Sequence, residues 1–489
     1  MIPIFSSLNM MQRALQVTQE AIQTTGHNVS NAGTDGYSRQ RVNLKSWLPY
    51  PAAGINAPHG AGQAGTGVID DSIVRIRDQF VDLQVRENAN QNGYWSALSD
   101  AYSQMEDIVN EPSETGISSV LDGFWQSIQD LASHSGTGGT GTVVLQRGKE
   151  VADTFNYIAQ SLGKVQNNLQ QQITENTHLI NNYADQINAL NKEIGLQEAN
   201  GFLANDLYDE RDLLTDKLAG LVHIKVTPVP SGGHASATAE GKYTIEMVDQ
   251  NGGSFDPPAR LVDGEQLTAA NLASAIDSAE PSVTVAMDGQ ELSGFSGKLQ
   301  GLIEAYTNDY PAVLQSLDRM AAQLATSFND AFQQTGGSQE SGIDWFFQGQ
   351  DGTVTAENLH VNEALKGSDI TSNLAGAPSG DHAGALALAD VIAADRFDFD
   401  GNGSETTLKN YLQGLIGQIG VNAQSAQQFN GNSATMRQAA ENRRSSISGV
   451  NMDEEMTNLI QFQHTYGAAA RVVTTIDTLL DTLINRMGG

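Results

Sequence analysis

Cysteine is absent from all 489 residues of the chain. Disulfide bridges, thiolate metal sites and cysteine nucleophiles are therefore excluded. Basic residues are scarce, because 26 Lys and Arg stand against 57 Asp and Glu and give a formal net charge of −31. A chain this acidic is repelled by phosphate backbones, which argues against nucleic-acid binding. Aromatic residues are only 6% of the chain, so we expect thin, elongated cores.

Long hydrophobic runs are also missing. No stretch reaches the roughly 20 apolar residues that a membrane-spanning helix needs, so membrane insertion is not expected. The first residues, MIPIFSSLNMMQ, have no basic region followed by an apolar core. They do not have the pattern of a cleavable secretory signal. If the protein is exported, we expect another route.

Sequence motifs that would indicate catalysis, phosphate binding or metal binding are few. The nine histidines form no zinc-type pair, and no serine lies in a nucleophile elbow. SHSGTGGTGT, residues 133–142, follows a helical pattern and lacks a Lys-Ser/Thr ending, so we expect a flexible loop and no phosphate site. DFDGNG, residues 398–403, matches the start of a calcium loop, but Lys409 occupies the position of the essential glutamate. We favour a turn there, and we predict no enzyme activity, cofactor or metal.

Apolar residues recur with heptad spacing at both ends of the chain. Each stripe predicts a long helix, and Asn451 with Glu454 predicts the N-cap and capping box of the second. Because helices this long usually need a partner, we predict that the two terminal helices pair. The stripes are Ile4, Leu8, Met11, Leu15, Thr18, Ile22, Thr25 and Val29, and Leu459, Phe462, Tyr466, Ala469, Val473, Ile476, Leu480, Leu483 and Met487.

The middle of the chain has further helical patterns and one β-rich interval. Two heptad runs lie in residues 151–194, with outward Gln and Asn that hydrogen-bond without the desolvation cost of a charge. Strand-like alternation with Gly and Pro turns marks residues 222–292. Residues 336–383 are Gly- and Ser-rich and contain DWFF. We predict that they form a loop or hairpin that packs against helices. Other helices are predicted at residues 81–108, 116–132, 299–332, 386–395 and 408–419.

The predicted fold is mainly α. We expect an elongated multi-domain rod with paired N- and C-terminal coiled-coil helices, a helical middle domain and a small inserted β-rich domain. The predicted divisions are residues 1–45 with 448–489 for the terminal polymerisation domain, 46–221 with 293–447 for the helical middle domain, and 222–292 for the β-rich outer domain.

The segment HNVSNAGTDGYSRQ, residues 27–40, begins where the N-terminal stripe ends. Tyr37 can bury its ring while its hydroxyl stays hydrogen-bonded. Arg39 and Arg41 are cations in an acidic chain, so they are candidate partners of a neighbouring subunit. We interpret the segment as a hinge that ends the helix, not as a catalytic loop. The residues that tolerate such turn geometry are Asn28, Asn31, Gly33 and Gly36.

Several separated motifs together resemble the flagellar hook-associated protein 1 family, the hook–filament junction proteins of bacterial flagella. The first, NVSNAGTDGYSRQ, is similar to an N-terminal motif shared by flagellar rod, hook and junction proteins, and Asp35 stands where many members have Pro. The second, NDLYDERDLLTDKLAGLV, is similar to the D-x-R-D-x-L segment of the junction proteins, and a hook or rod protein should lack it. The motifs lie at residues 28–40, 205–222, 296–306, 317–330 and 448–487.

The resemblance implies a structural subunit that forms a helical ring by self-assembly, with its terminal helices lining an inner tube. The apolar stripe residues are then the predicted subunit interface. The implied partners are other copies of the chain, the hook protein, a second junction protein next to the filament, and a flagellar export chaperone on the C-terminal helix.

The resemblance also implies a route and a location. The family leaves the cell through the flagellar type III exporter without a cleaved signal, and it resides in the extracellular flagellum. Two alternatives stay open. One is another axial protein of the hook or rod. The other is an extracellular adhesin or hydrolase on an axial scaffold, for which only residues 222–292 leave room.

Overall fold

A computed structural model describes residues 4–49, 65–109, 116–134, 139–278, 280–350, 352–378, 380–401 and 403–482. A π-helical turn at Ala305–Asp309 connects the helix that ends at Glu304 to the helix that begins at Tyr310. The elements in chain order are α1 (Ile4–Ser30), β1 (Gln40–Ser46), β2 (Val68–Arg75), α2 (Gln79–Val109), α3 (Ile117–Ser133), α4 (Thr140–Ala199), α5 (Asn205–Leu221), β3 (Ile224–Val229), β4 (Lys242–Val248), β5 (Ser254–Asp263), β6 (Thr268–Ala269), β7 (Leu272–Asp277), β8 (Ser282–Met287), β9 (Gln290–Leu292), α6 (Lys298–Glu304), α7 (Tyr310–Gln333), α8 (Gly336–Ser341), β10 (Phe347–Gln348), β11 (His360–Val361), α9 (Ala383–Ala393), α10 (Leu408–Ser448) and α11 (Met452–Asp481).

The chain forms two compact units. The first contains Met1–Asn90, Leu179–Leu272 and Ala434–Gly489, and the second contains Gln91–His178 and Ala273–Ser433. Both ends of the chain belong to the first unit. The predicted three-part division, the elongated rod and the coiled-coil arrangement remain predictions. In the described ranges, no helix combines the length and the apolar character needed to cross a membrane.

The predicted mainly α fold is confirmed, and two helices extend far beyond their patterns. α4 is a single helix of 60 residues that begins inside the predicted glycine-rich loop. α10 continues to Ser448, whereas the pattern had ended at residue 419. A series of its buried positions is spaced seven residues apart, but the later members are small and form no apolar stripe. The series is Leu412, Ile419, Ala426, Ser433 and Ala440.

The first unit contains a hairpin and a four-stranded antiparallel sheet. β1 pairs with β2, with Gln40 opposite Arg75, a hairpin that the sequence patterns did not indicate. The sheet has the order β3-β4-β5-β6 and confirms the strands expected from residue 222 onward. A second sheet, β7-β8-β9, follows. The interval 222–292 therefore forms two sheets, and the boundary between the two units falls within this interval, between Leu272 and Ala273.

Amide side chains attach α4 to strand backbones. The Asn191 side chain donates to the carbonyl oxygen of Tyr243 at 2.8 Å and accepts its N–H at 2.9 Å. Asn181 makes the same two bonds with Leu272, both at 2.8 Å. These pairs bear out the expectation that the outward amides of this helix bond to neighbours without burying charge.

An aromatic cluster forms the core of the second unit. The ring of Phe328 in α7 lies 5.2 Å from that of Phe124 in α3 and 4.9 Å from that of Phe346, between ring centroids. Phe346 and Phe347 come from the DWFF segment and are fully buried, as the sequence predicts for a segment laid against helices. Gly148 of α4 makes room for the cluster, because a Cβ there would lie 2.6 Å from the Phe346 ring.

We predict that Phe328→Ala lowers the free energy of unfolding by about 3–5 kcal/mol, because it leaves a cavity among packed rings. The matched control is Trp345→Ala, since Trp345 adjoins the cluster in sequence but is 54% exposed. Its effect should stay within about 0.5 kcal/mol. Urea unfolding of the full chain, followed by circular dichroism, measures both. Equal losses for the two variants would contradict this description of the core.

Candidate functional site

The predicted hinge closes around the side chain of Asn28, which is buried at the end of α1. Its Nδ2 donates to the Gln40 carbonyl oxygen at 2.9 Å and to Glu455 Oε2 at 3.0 Å. Its Oδ1 accepts the Gln40 N–H at 2.9 Å and the Tyr37 hydroxyl at 2.8 Å. Every hydrogen-bonding position of the amide is used. One side chain thus joins the end of α1, the start of β1 and the first turn of α11.

Tyr37, in the loop between α1 and β1, also contacts the Asn28 side chain. Its hydroxyl proton goes to Asn28, so His27 Nδ1, at 3.0 Å, donates to the hydroxyl oxygen. The two rings meet edge to face with centroids 5.5 Å apart. Burial raises the pKa of Tyr37 well above its usual value, and the carboxylates of Asp206, Asp209 and Glu455 raise it further. The residue therefore acts as a neutral anchor with a hydroxyl that both donates and accepts.

Two other hinge residues shape the turn. Gly36 has a φ of +80°, and a Cβ there would lie 3.1 Å from Leu213 Cβ in α5. Both the backbone angle and the close approach disfavour a larger residue. Asn31 Nδ2 donates to the His27 carbonyl oxygen at 3.1 Å and so satisfies one of the last carbonyls of α1.

Arg39 binds the first turn of α11 within the same chain. Its Nη1 lies 2.9 Å from Glu454 Oε2, and its Nε lies 2.7 Å from Glu455 Oε1. Its backbone N–H also donates to the Ser448 carbonyl oxygen at 2.8 Å. Arg39 is therefore paired within the chain, and its role toward a neighbouring subunit stays a prediction. Arg41 is exposed, and its role stays a prediction.

The predicted N-cap of α11 is confirmed, but the capping box is not. The Asn451 side chain accepts the N–H groups of Asp453 at 3.0 Å and Glu454 at 3.4 Å. The Glu454 carboxylate, expected to reach back to the cap, pairs with Arg39 instead. The acidic first turn still faces the positive end of the helix dipole.

The two terminal helices pack against each other. The buried face of α1 shares Thr18 and Thr25 with the predicted stripe and otherwise lies beside it. It consists of Val17, Thr18, Ala21, Thr24, Thr25 and Asn28. The larger predicted residues are half-buried, namely Leu8, Met11, Leu15, Ile22, Val29, Leu459, Phe462, Val473 and Leu480. Of the remaining predicted interface residues, Ile476 is buried and Tyr466 is 40% exposed. The side chain of Ile4 and the whole of Leu483 lie outside the described residues.

Much of the apolar surface of α11 is uncovered. Only Glu455, Ala469 and Ile476 are buried among its 30 residues. The exposed large apolar side chains are Met452, Met456, Ile460, Tyr466, Val472 and Leu479, at 40–55% exposure. An exposed apolar surface of this extent is typical of an interaction site.

α5, which carries the D-x-R-D-x-L motif, supplies the carboxylates of a buried ionic network. Asp212 lies 2.9 Å from Arg75, 2.8 Å from Arg77 and 3.4 Å from Arg86. Burial alone would raise the pKa of this carboxyl, but the surrounding guanidinium groups, including that of Arg211, hold it far below its usual range. The carboxylate therefore stays ionised and links the end of β2 to α2 and α5.

The network reaches the hinge through Asp209. This carboxylate lies 2.6 Å from Arg75 Nη1, and its other oxygen accepts the Ser38 N–H at 3.0 Å. Burial raises the pKa of Asp209 against the opposing effect of Arg75. In the described part of the chain the network comprises five arginines and five carboxylates, namely Arg75, Arg77, Arg86, Arg211 and Arg444 with Asp82, Asp209, Asp212, Asp216 and Glu240.

The sequence reasoning missed this network and recognised only its α5 segment. One sequence feature could have indicated the network: Arg75, Arg77 and Arg86 lie close together in a chain that is poor in basic residues. Buried guanidinium groups need carboxylate partners. The acidic motif that begins at residue 205 could have been identified as the source of those carboxylates.

The calcium-like segment has the properties of a turn. Asp398 Oδ2 accepts the Gly403 N–H at 2.7 Å, and Asp400 pairs with Arg319 at 2.6 Å. Lys409 pairs with Asp122 at 2.8 Å. Over the described ranges, no group of three or more His, Asp or Glu residues is placed to hold a metal ion.

We predict that Asn28→Ala lowers the free energy of unfolding by at least about 2 kcal/mol, because buried groups on β1 and α11 lose their partners. Amide hydrogen exchange should rise selectively in the first turns of α11. Asn31→Ala is the matched control, since it removes a half-buried amide from the same loop. Unchanged exchange in α11 of the Asn28 variant would show that this amide does not hold the two helices together.

We predict that Asp212→Asn costs about 3–5 kcal/mol at neutral pH, because it leaves buried guanidinium groups uncompensated. The pKa of Asp212 is lower in the folded chain than in the unfolded one. Its ionisation therefore stabilises the fold above the ordinary aspartate pKa of about 3.9, and that stabilisation is lost as the pH falls below this value.

The difference between wild type and Asp212→Asn should accordingly shrink below about pH 4, as measured by urea unfolding at a series of pH values. Asp122→Asn is the control, because Asp122 is 56% exposed in its pair with Lys409. It should cost less than about 1 kcal/mol. A pH-independent difference for Asp212→Asn would contradict the low pKa.

Comparison with known proteins relates the whole chain to flagellar proteins. A family model described as the helical domain of flagellar hook-associated protein FlgK matches residues 102–346. A second family model, described as the C-terminal part of flagellar basal body rod FlgEFG proteins, matches residues 441–487. The two matches include α7 and α11.

Full-length relatives are also found. The chain is 41% identical to flagellar hook-associated protein 1 of Bacillus subtilis, over 99% of this chain and 98% of that protein. It is 24% identical to the protein of that name from Escherichia coli, over 98% and 99% of the two chains. The solved flagellar hook junction protein FlgK from Burkholderia pseudomallei has a TM-score of 0.59 at 14% identity, over 75% of this chain and all of that one. This last likeness shows a shared fold.

Proposed function

Since the chain belongs to the flagellar hook-associated protein 1 family, we propose that it is a structural subunit of the junction between the flagellar hook and filament. Membership of the family confirms the resemblance seen in the separated motifs. In the proposed role, α1 and α11 are polymerisation helices that join neighbouring copies into a helical ring. The role needs no catalytic step.

The observation that carries this proposal is the uncovered surface of α11. Although α11 packs on α1, it fully buries only three of its 30 side chains, so part of the stabilisation that packing gives a helix is not realised within one chain. Full burial of one large apolar side chain is worth roughly 1.5–3 kcal/mol. Contact with neighbouring copies would bury six such side chains together, and this gain is available only on assembly.

The proposed partners follow from the position of a junction subunit. Other copies cover part of the terminal helices, the hook protein lies on one side, and a second junction protein lies toward the filament. Before assembly, a flagellar export chaperone covers the same apolar face of α11. The proposed location is the extracellular flagellum, reached through the type III exporter without a cleaved signal.

The alternative of a hook or rod protein has weaker support. The match at residues 441–487 is to a model described for rod proteins, so that segment alone does not separate the classes. The match at residues 102–346 is to the hook-associated helical domain, and it favours the junction role.

We predict that Ile460→Glu with Leu479→Glu leaves the chain folded but prevents assembly, because both side chains are exposed and would place charge in an apolar contact. A strain that carries only this variant should bear hooks without filaments and lose filament monomers to the medium. The matched control is Gln461→Glu with Thr478→Glu, which adds the same charge at adjacent exposed positions. Electron microscopy and swimming assays measure the result.

Export is checked separately by finding the variant protein itself in the medium. Normal swimming of the Ile460→Glu, Leu479→Glu strain would contradict the polymerisation role of α11. Filaments on a strain that lacks the gene altogether would contradict the junction role.

A further inference from the structure

His223 lies between α5 and β3, and its imidazole ring contacts two other parts of the first unit. Nε2 lies 3.0 Å from Glu87 Oε2 in α2, and Nδ1 lies 2.8 Å from the carbonyl oxygen of Asp249, just after β4. The His223 side chain is 12% exposed, whereas that of Glu87 is 44% exposed. The ring therefore bridges α2 and the turn between β4 and β5.

The two contacts of the ring together require its charged form. A carbonyl oxygen can only accept a hydrogen bond, and so can a carboxylate at neutral pH. A neutral imidazole donates from one nitrogen, whereas an imidazolium donates from both. The partners of His223 thus select the imidazolium, with one N–H for each acceptor.

The charges around the ring agree with this assignment. The hydrogen bond to Glu87 raises the pKa of His223, burial opposes this effect, and the charges of Glu87 and Asp249 raise the pKa further. Arg86, which adjoins Glu87 in α2, is paired with Asp216 of α5 at 2.8 Å. The groups that act on the ring from α2 and from the β4–β5 turn are therefore carboxylates.

Loss of the ring proton changes one contact more than the other. The Asp249 carbonyl oxygen is fixed in the backbone, whereas the Glu87 carboxylate is partly exposed and can turn to water. The remaining proton is therefore best placed on Nδ1, and Nε2 becomes an acceptor that faces Glu87 without a donor. Since Arg86 still holds α2 to α5, this change opens one contact of α2 without detaching the helix.

We propose that His223 is a pH-sensitive latch, which fastens α2 to the β4–β5 turn when it is protonated and opens its contact with Glu87 when it is not. A group with a raised folded pKa stabilises the fold fully below its unfolded pKa, about 6.5 for histidine. That stabilisation is lost as the pH rises through the folded pKa. The latch operates within one chain, so it does not depend on the junction role.

NMR of the full chain with isotope-labelled histidine measures the charge of the ring. The Cε1 signal of His223 is the one missing from His223→Gln, and its shift across a pH series reports protonation. We expect a midpoint above the ordinary value of about 6.5. Glu87→Gln keeps an acceptor but removes the charge, so it should lower the midpoint. The matched control is Glu265→Gln, which removes an exposed charge from the loop after β5 and should leave the midpoint unchanged.

Amide hydrogen exchange of α2 measures the latch itself. Below the His223 midpoint, amides around Glu87 should exchange about threefold or more faster in Glu87→Gln than in wild type, because a charged hydrogen bond in a partly exposed pair is lost. Above the midpoint the two chains should exchange alike, since the wild-type latch is then already open. Glu265→Gln should match wild type in both conditions.

A His223 midpoint at or below about 6.5 would overturn the proposal, because the ring would then be neutral at physiological pH. An exchange difference between wild type and Glu87→Gln that persists unchanged above the midpoint would also overturn it, because the contact would then be purely structural. If His223→Gln does not fold, the histidine signal that moves in Glu87→Gln identifies the ring.

Discussion

The first unit depends on the neutralisation of buried arginines by the carboxylates of α5. A guanidinium without a partner in the protein interior is costly, and removal of one partner from such a pair typically costs several kcal/mol. Asp212 contacts Arg75 and Arg77 beside β2 and Arg86 in α2. α5 is thereby held against β2 and α2, although Asp212 lies 137 residues after Arg75 and 126 residues after Arg86. Asp209 extends the same constraint to the backbone of the hinge through Ser38.

The hinge, which the ionic network holds in place, binds the first turn of α11, and the rest of this terminal helix is little covered. Asn28 and Arg39 hold the first turn of α11 through Glu454 and Glu455. Beyond that turn, α11 buries only Ala469 and Ile476. The division matches the needs of the proposed junction subunit, which would keep its fold alone and join other copies later. The contacts at the first turn are polar and internal, and the uncovered surface of α11 is apolar.

Sequence periodicity was sufficient for most of the architecture. Heptad spacing located α1, α4 and α11, and alternation located the strands after residue 222. Periodicity located the start of α10 but not its continuation beyond residue 419, because the later buried positions include Ala426, Ser433 and Ala440, which carry no apolar signal. It also missed the β1–β2 hairpin.

The contacts of the site were less accessible from the sequence. Asn28 and Glu455 are 427 residues apart, and Arg75 and Asp212 are 137 residues apart. No local pattern encodes such pairs. Glu454 is a further example of a contact that local sequence does not predict. Its spacing from Asn451 fits a capping box, but in the folded chain its carboxylate pairs with Arg39. The hinge could be located from its turn residues, but its partners required the fold.

The attachment of α11 at its base has a mechanical consequence. A helix of 30 residues is about 45 Å long, so a tilt of about 5° at the first turn displaces the far end by about 4 Å. That displacement approaches the 5.4 Å pitch of a helix and would misalign the apolar rows of adjoining copies. The polar bonds at Asn28 and Arg39 and the packing of α11 on α1 together fix this angle. In the proposed ring, the accuracy of that angle would set the registry between adjoining copies.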